Sequence, residues 1–144
     1  MECLSSMTDT HTVYLALGSN LGNRHETIAK AIRKIGELIG DVVRQSTLIE
    51  TEPWGFGSEN KFVNGCICVT TDLSPRELLQ MTQLIERELG RSEKSSEGVY
   101  HDRTIDIDIL LYDDITVDEP DLKIPHPLMK ERDFVMVPLR EILK

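Results

Sequence analysis

The sequence predicts an α+β fold with the element order β-α-β-β-α-β, and two observations predict it. Apolar residues recur at helical spacing after Asn23 and again after Ser74. Short β-branched and apolar runs, bounded by Gly, Pro or Asn, lie before, between and after these two helices. The order matches a ferredoxin-like fold, in which an antiparallel sheet carries both helices on one face. Hairpin-like additions are expected near the C-terminus.

The first half of the chain supplies a strand, a helix and two more strands. The first strand is predicted over residues 13–17. The first helix begins after Asn23 as N-cap, with Glu26 as its capping-box partner, and Gly40 is expected to end it. The second strand is predicted over residues 42–50 and the third over residues 62–71.

The second half begins with a clear helix start. Ser74 is the expected N-cap, Pro75 the first helical residue and Glu77 the capping-box partner. The fourth strand is predicted over residues 104–112. A short extra strand over residues 115–117 and a turn over residues 118–121 follow, and the apolar run 134–139 is expected to pack the C-terminal end.

Length and composition indicate one globular domain over residues 13–144, since 40% of the 144 residues are apolar and 28% are charged. Residues 1–12 are expected to be a disordered tail, not a signal peptide, and Met7 is a candidate start. No apolar run is long enough for a membrane span. The net charge of −9 argues against a nucleic-acid partner. Cys66 and Cys68 are expected to be core residues in a reducing, cytoplasmic protein.

Two aspartates on the fourth strand are the strongest chemical signal. Ile105, Ile107, Ile109 and Leu111 alternate with Thr104, Asp106, Asp108, Leu110 and Tyr112, which predicts one core face and one face carrying both carboxylates. The carboxylates lie ~6.6 Å apart along the backbone. Carboxylates this close repel each other, and divalent cations remove that cost. Two ions ~3.5–4 Å apart are a known arrangement in phosphoryl-transfer sites. The alternative is an ordinary solvent-facing strand edge.

Four other regions each allow a functional and a structural interpretation. Trp54, in the loop 51–60, either fastens that loop to the body or lines a pocket for a flat ligand. Asn64 either reads the edge of a heterocycle or bonds the neighbouring loop. The polar loop 91–103 delivers cations beside the aspartates, either for a polyphosphate or for the aspartates themselves. His126, held between two prolines, is either structural or a phosphate contact.

Six segments, in this order, resemble the 6-hydroxymethyl-7,8-dihydropterin pyrophosphokinase family: residues 17–22, 50–55, 62–64, 85–91, 103–110 and 124–129. Phe134 and residues 137–139 also match. The Arg-x-x-Asp-x-Asp-x-x-Leu strand and the later Pro-His-Pro segment are the specific motifs. The resemblance covers residues 13–139.

The resemblance implies transfer of the β,γ-pyrophosphoryl unit of ATP to the pterin hydroxymethyl group, with release of AMP. It implies two Mg²⁺ ions held by Asp106 and Asp108, with Arg91 and Arg103 stabilising charge on the transferred group. It places ATP near Gln83, Glu86, Arg91, Lys94, Arg103, Ile109, His126 and Arg132. It places the pterin near Thr51, Pro53, Trp54, Phe62, Asn64, Tyr100 and Phe134. By helical spacing alone, Gln83 and Glu86 face sideways or outward from the second helix.

This chain departs from the family pattern at Tyr100, where some members have tryptophan, and at Glu52, where others have proline. We expect small-molecule substrates, no nucleic acid or membrane partner, and a monomer or weak dimer. Two alternatives remain. A two-metal nucleotidyltransferase would use the same sheet and aspartates but release pyrophosphate. A non-catalytic metabolite-binding module would not need the aspartate pair.

Overall fold

The computed structural model describes residues 10–20, 23–51, 61–90, 105–127 and 129–143. The main sheet is antiparallel with the order β2-β4-β1-β5, and β3 pairs with β4 on the same edge as β2. This arrangement confirms the predicted α+β fold, with β4 in the place of the third ferredoxin-like strand. The elements are β1 (His11–Ser19), α1 (Arg24–Leu38), β2 (Gly40–Gln45), β3 (Ile49–Thr51), β4 (Phe62–Thr71), α2 (Pro75–Glu88), β5 (Asp106–Tyr112), β6 (Val117–Glu119), β7 (Leu122–Ile124) and α3 (Asp133–Ile142).

Helices α1 and α2 start where the capping residues predict. Asn23 Oδ1 accepts the Glu26 backbone N–H at 3.2 Å. Ser74 and Glu77 form a complete capping box, which satisfies two backbone donors at the start of α2. Both helices pack on one face of the sheet and bury one apolar core. Its fully buried side chains include Leu15, Leu17, Ile28, Ile35, Ile67, Leu78, Ile85 and Ile105.

Helix α3 lies on the other face, where the sequence predicts only an apolar terminal segment. Val135, Leu139 and Ile142 pack there against Cys66, Cys68 and other residues in a second apolar cluster. Arg44 on β2 fastens the helix end, since its Nε donates to the Ile142 carbonyl at 2.9 Å. The sheet is therefore covered on both faces, and the expected core positions of the two cysteines are confirmed.

The predicted second strand over residues 42–50 is wrong as a single element. It is divided into β2 and β3, and residues 46–48 are not in a strand. Ser46 explains part of this break, because its hydroxyl accepts the Cys66 backbone N–H at 2.9 Å in place of a strand partner. Gly40 follows the C-cap Ile39 and so ends α1 as predicted, and it also begins β2. A Cβ there would lie only 1.8 Å from the Thr70 carbonyl oxygen. Close backbone approach therefore requires glycine at position 40.

Strand β5 contains an irregularity that corrects its predicted alternation. Leu15 pairs with Ile109 but Tyr14 pairs with Leu111, so Leu110 is an extra residue in the ladder. After Leu110, odd-numbered and even-numbered residues of β5 lie on the opposite faces of the sheet from those they occupy before it. Tyr112 packs in the helix-side core with the isoleucines, whereas Leu111 packs on the α3 side. The alternation holds over Asp106–Ile109, which is the part that carries the aspartates.

The C-terminal hairpin is present but shifted from its prediction. Strand β6 starts at Val117 rather than residue 115, and β6 and β7 pair around the Pro120–Asp121 turn. Arg76 on α2 donates to the carboxylates of Glu119 and Asp121 and holds the hairpin against the helix. At the other end of the chain, β1 begins at His11, two residues inside the predicted tail, and residues 1–9 lie outside the described part.

Candidate active site

Asp106 and Asp108 lie half-buried on the same face of β5, as predicted. On the adjacent strand β1, Asp106 pairs with Gly18 and Asp108 pairs with Ala16. These two partners have the smallest side chains, so β1 leaves the space beside the carboxylates open. The aspartate face is the one that α3 covers farther along the sheet, since Ala16 belongs to the α3-side cluster.

Asn64 continues the row that Asp106 begins. Gly18 pairs with Asp106 on one side and with Asn64 on the other, so the three residues lie in line across β5, β1 and β4. With strands ~4.8 Å apart, the Asp106 and Asn64 backbones are ~10 Å apart. Asn64 is 6% exposed. A carboxylate and an amide therefore face the same side, separated by a residue without a side chain.

The Asn64 amide is held by β3. Its Nδ2 donates to Thr51 Oγ1 at 2.6 Å. The predicted structural bond of Asn64 is thus present, though to a strand residue. The Oδ1 atom is directed towards Gly18, where a Cβ would approach it to 2.8 Å. The acceptor end of the amide consequently faces the middle of the row.

Two aromatic rings lie near this row. Phe62 is half-buried and pairs with Thr51, and its Cδ1 would lie 3.5 Å from a Cβ at Gly18. Phe134, at the start of α3, packs partly buried against the α3-side cluster. The Arg132 guanidinium carbon lies 5.6 Å from the Phe134 ring centroid, a cation–π contact that directs the charge of Arg132 to this end of α3.

His126 is attached to the outer edge of β5. Its backbone N–H donates to the Leu110 carbonyl at 3.1 Å, and the Ile124–Pro125 peptide before it is cis. Burial lowers the pKa of His126, the charge of Arg132 lowers it further, and the Asp106 carboxylate opposes both. The imidazole, the guanidinium and the carboxylate therefore lie within electrostatic range of one another. A lowered pKa keeps His126 neutral at pH 7.

The three residues of α2 and β5 that were predicted to bind the nucleotide differ in their exposure to solvent. Gln83 is exposed, as helical spacing predicts. The Glu86 side chain does not face sideways or outward as predicted. It is 5% exposed, and its Oε2 accepts the Ile107 backbone N–H at 2.7 Å. Ile109 directs its side chain into the helix-side core, so only its backbone is available to a nucleotide on the aspartate face.

Six predicted site residues lie outside the described part of the chain. They are Pro53 and Trp54 of the aromatic loop and Arg91, Lys94, Tyr100 and Arg103 of the polar loop. Their roles stay predictions. The structure thus brings together Asp106, Asp108, Gly18, Asn64, Thr51 and Phe62 on one sheet face, with His126, Arg132 and Phe134 beside it.

Sequence reasoning missed one residue that shapes the site, Gly18, and wrongly predicted the exposure of another, Glu86. Gly18 directly follows the predicted first strand, and no sequence signal shows that it lies between Asp106 and Asn64. Glu86 was placed on a solvated face, because a charged residue beside an apolar stripe usually is solvated. The burial of its neighbour Thr82, one turn earlier, is equally invisible in the sequence.

The donor set fits a hard divalent cation. Within the described ranges, no group of three or more His, Cys, Asp or Glu side chains could hold a metal ion. Asp106 and Asp108 supply two carboxylates on one face of β5. Mg²⁺ commonly binds through one or two carboxylates and completes its shell with water and substrate phosphates, and it rarely uses an all-protein cage. The two carboxylates therefore fit a Mg²⁺ ion that is also bound by substrate phosphates.

The fold and this face define an α+β protein with a pair of carboxylates beside an amide and aromatic rings. Residues 14–144 match the family described as 7,8-dihydro-6-hydroxymethylpterin-pyrophosphokinase (HPPK), and the chain belongs to this family. It is thus an enzyme of the pyrophosphokinase class. The resemblance inferred from the sequence motifs is confirmed.

Relatives and solved structures agree with this assignment. The 2-amino-4-hydroxy-6-hydroxymethyldihydropteridine pyrophosphokinase of Porphyromonas gingivalis is 49% identical over 131 residues, which are 90% of this chain and 89% of the relative. The enzyme of the same name from Aquifex aeolicus is 44% identical, over 91% of this chain and 79% of its own length.

Among solved structures, wild-type HPPK-DHPS of Plasmodium falciparum has a TM-score of 0.72 at 16% identity. The match covers 92% of this chain but only 41% of that longer protein, so it supports the fold alone. Among the helices that the structure describes, none is long and apolar enough to cross a membrane.

Proposed function

We propose that this chain transfers the pyrophosphoryl group of ATP to 6-hydroxymethyl-7,8-dihydropterin in folate biosynthesis. The products are AMP and the pterin diphosphate. The observation that carries the proposal is the row Asp106–Gly18–Asn64 across three strands. A polyphosphate is suited to the carboxylate end and a flat, hydrogen-bonding ring to the amide end. The hydroxymethyl group of a ring bound at Asn64 would then point towards the phosphates.

Asp106 and Asp108 would hold two Mg²⁺ ions. Their carboxylates share one face and have two small neighbours, which leaves room for substrate oxygens. When bound, Mg²⁺ offsets the negative charge of the polyphosphate and polarises its phosphorus–oxygen bonds. The predicted cations Arg91, Lys94 and Arg103 would bind the phosphates from the polar loop. His126, at the edge of β5, and Arg132, at the start of α3, would also bind the phosphates.

The pterin would be recognised at the other end of the row. The Asn64 amide, oriented by Thr51, offers hydrogen bonds to the ring edge. Phe62 and Phe134, with Pro53, Trp54 and Tyr100 from the two loops, would enclose the ring. Gln83 and the backbone at Ile109 would complete the nucleotide side, whereas the buried Glu86 would support β5 from the opposite face. Each residue binds or orients, and no covalent intermediate is needed for transfer of this kind.

In the reaction, the pterin hydroxyl oxygen forms a bond to the β-phosphorus, and the bond between that phosphorus and the AMP oxygen breaks. The hydroxyl proton leaves to solvent or to a phosphate oxygen. Positioning and charge stabilisation supply most of the rate in such transfers. We expect the enzyme to act in the cytoplasm on these small molecules, as a monomer or weak dimer.

Product analysis tests the proposal. The protein is incubated with ATP, Mg²⁺ and 6-hydroxymethyl-7,8-dihydropterin, and the phosphorus products are resolved by ³¹P NMR. We expect AMP and pterin diphosphate in equal amounts, and AMP only when the pterin is present. Release of pyrophosphate would indicate a nucleotidyltransferase instead. Tight binding of both ligands without turnover would indicate a metabolite-binding module.

A further inference from the structure

Glu86 is a buried carboxylate directly behind the strand that carries the aspartate pair. It lies on α2, is 5% exposed, and its Oε2 accepts the Ile107 backbone N–H at 2.7 Å. Ile107 is the residue between Asp106 and Asp108. The Ile107 side chain faces the helix-side core, whereas the two aspartates face the other side. Glu86 therefore contacts the backbone of the metal-binding segment from the face opposite the substrates.

The Glu86 carboxylate accepts a hydrogen bond from a backbone N–H that points away from the neighbouring strand β1. Among the strands that the structure describes, β5 is at the edge of the main sheet and has β1 as its one neighbour there. In an antiparallel ladder, alternate residues direct their N–H and C=O groups away from the neighbouring strand. The Ile107 N–H is such a group, and α2 covers it, so it needs an acceptor inside the protein. A carboxylate forms a shorter and stronger bond to an N–H group than a neutral acceptor does.

A second bond holds the same edge three residues farther along. The Leu110 carbonyl accepts the His126 backbone N–H at 3.1 Å. The outer edge of β5 is thus attached at Ile107 and at Leu110, on both sides of Asp108. The inner edge is held by β1 through the pairs Gly18–Asp106 and Ala16–Asp108. With both edges held, β5 has little freedom to rotate about its axis, and such a rotation would redirect both carboxylates.

We propose that Glu86 is a positioning residue for the metal-binding aspartates, acting through the Ile107 backbone N–H rather than by contact with substrate. The inference rests on the proposed function, because it takes Asp106 and Asp108 as the metal ligands. Metal sites require ligand positions within ~0.5 Å, and residues that orient ligands typically contribute 10–100-fold to metal affinity. A bond to the backbone between the two ligands orients both at once.

Two variants of Glu86 separate the effect of side-chain length from the effect of side-chain charge. Glu86→Gln keeps the length of the side chain and an oxygen acceptor but removes the charge. Glu86→Asp keeps the charge but withdraws the carboxylate by one methylene from Ile107. Glu88→Gln and Glu88→Asp are matched controls, since Glu88 is on the same helix and pairs at the surface with Lys34 at 3.0 Å.

The readout is binding of Mn²⁺ together with α,β-methylene ATP, followed by electron paramagnetic resonance, and amide exchange of Ile107 followed by NMR. We expect Glu86→Asp to weaken Mn²⁺ binding about tenfold and to speed exchange at Ile107. We expect Glu86→Gln to remain within about threefold of the wild type in both measurements, as should both Glu88 controls.

The reverse order, with Glu86→Gln weakened and Glu86→Asp normal, would overturn the proposal in favour of a direct charge effect. Normal Mn²⁺ binding by both variants would also overturn it. Failure of the proposed function is separately visible: wild-type protein would form no pterin-dependent AMP, and absence of Mn²⁺ binding by the wild type would overturn both claims.

Discussion

A side chain at Gly18 would collide with Asn64, because a Cβ built at Gly18 lies 2.8 Å from Asn64 Oδ1. Gly18→Ala is therefore expected to displace the Asn64 amide and to raise the KM for the pterin about tenfold, with a smaller effect on the KM for ATP. Steady-state kinetics with each substrate varied in turn measures the difference. Gly36→Ala is the control, since no atom lies within 4 Å of a Cβ there. Equal effects on both substrates would contradict the assignment of Asn64 to the pterin side.

Thr51 orients Asn64 through the 2.6 Å bond from Nδ2 to Oγ1. Thr51→Val removes the acceptor at nearly constant volume and should weaken pterin binding about fivefold to tenfold, from a loss of roughly 1 kcal/mol. Thr51→Ser retains the hydroxyl and should bind the pterin nearly as the wild type does. Isothermal titration with the pterin and an unreactive ATP analogue gives both affinities. Pterin binding by Thr51→Val at wild-type strength would show that Thr51 does not orient the amide.

Arg44 fastens the end of α3, the helix that begins beside Arg132 and Phe134. Its Nε donates to the Ile142 carbonyl at 2.9 Å and its guanidinium to the Tyr14 hydroxyl at 3.0 Å. Replacing it with Met should cost about 2 kcal/mol of unfolding free energy, because one charged hydrogen bond to the helix C-terminus and one to Tyr14 are lost. Urea denaturation measures the change. Replacement of the exposed Arg33 by Met should change stability by less than about 0.5 kcal/mol, and equal losses would exclude the anchoring role.

Burial raises the pKa of Cys66 from 9.0 to about 12. At pH 8 the thiolate fraction is then on the order of 1 in 10,000, so iodoacetamide should leave Cys66 unmodified in the folded protein and modify it in urea. Mass spectrometry of the digested protein reports the modified position. Because the folded state retains a proton that the unfolded state loses, this group makes stability fall as pH rises between about 9 and 12. Rapid modification of Cys66 in the native protein would contradict its burial.

Local rules account for much of the fold. Asn23, Ser74 and Pro75 define helix starts because caps and N1 prolines act through backbone donors a few residues away. The alternation over residues 105–109 places both aspartates correctly because strand period depends only on the pleat. These features need no knowledge of the rest of the chain.

The features that the sequence did not reveal depend on distant partners. Helix α3 contains Pro138, which is unfavourable inside a helix, and the packing of Val135, Leu139 and Ile142 on the sheet outweighs that preference. The extra residue Leu110 redirects Tyr112 into the core, where its hydroxyl donates to the Leu73 carbonyl. The burial of Glu86 follows from the approach of α2 to the β5 edge, which no local pattern encodes.

The aspartate pair is the central claim, and Asp108→Asn tests it most directly because it removes one ionised ligand at constant size. The measurement is pterin-dependent AMP formation with ATP and Mg²⁺, with circular dichroism to confirm the fold. The control is Asp114→Asn, an exposed position in the turn after the same strand. We expect Asp108→Asn to lose about a thousandfold or more of the rate, and Asp114→Asn to keep wild-type activity. Retention of activity by a folded Asp108→Asn protein would contradict the two-metal assignment.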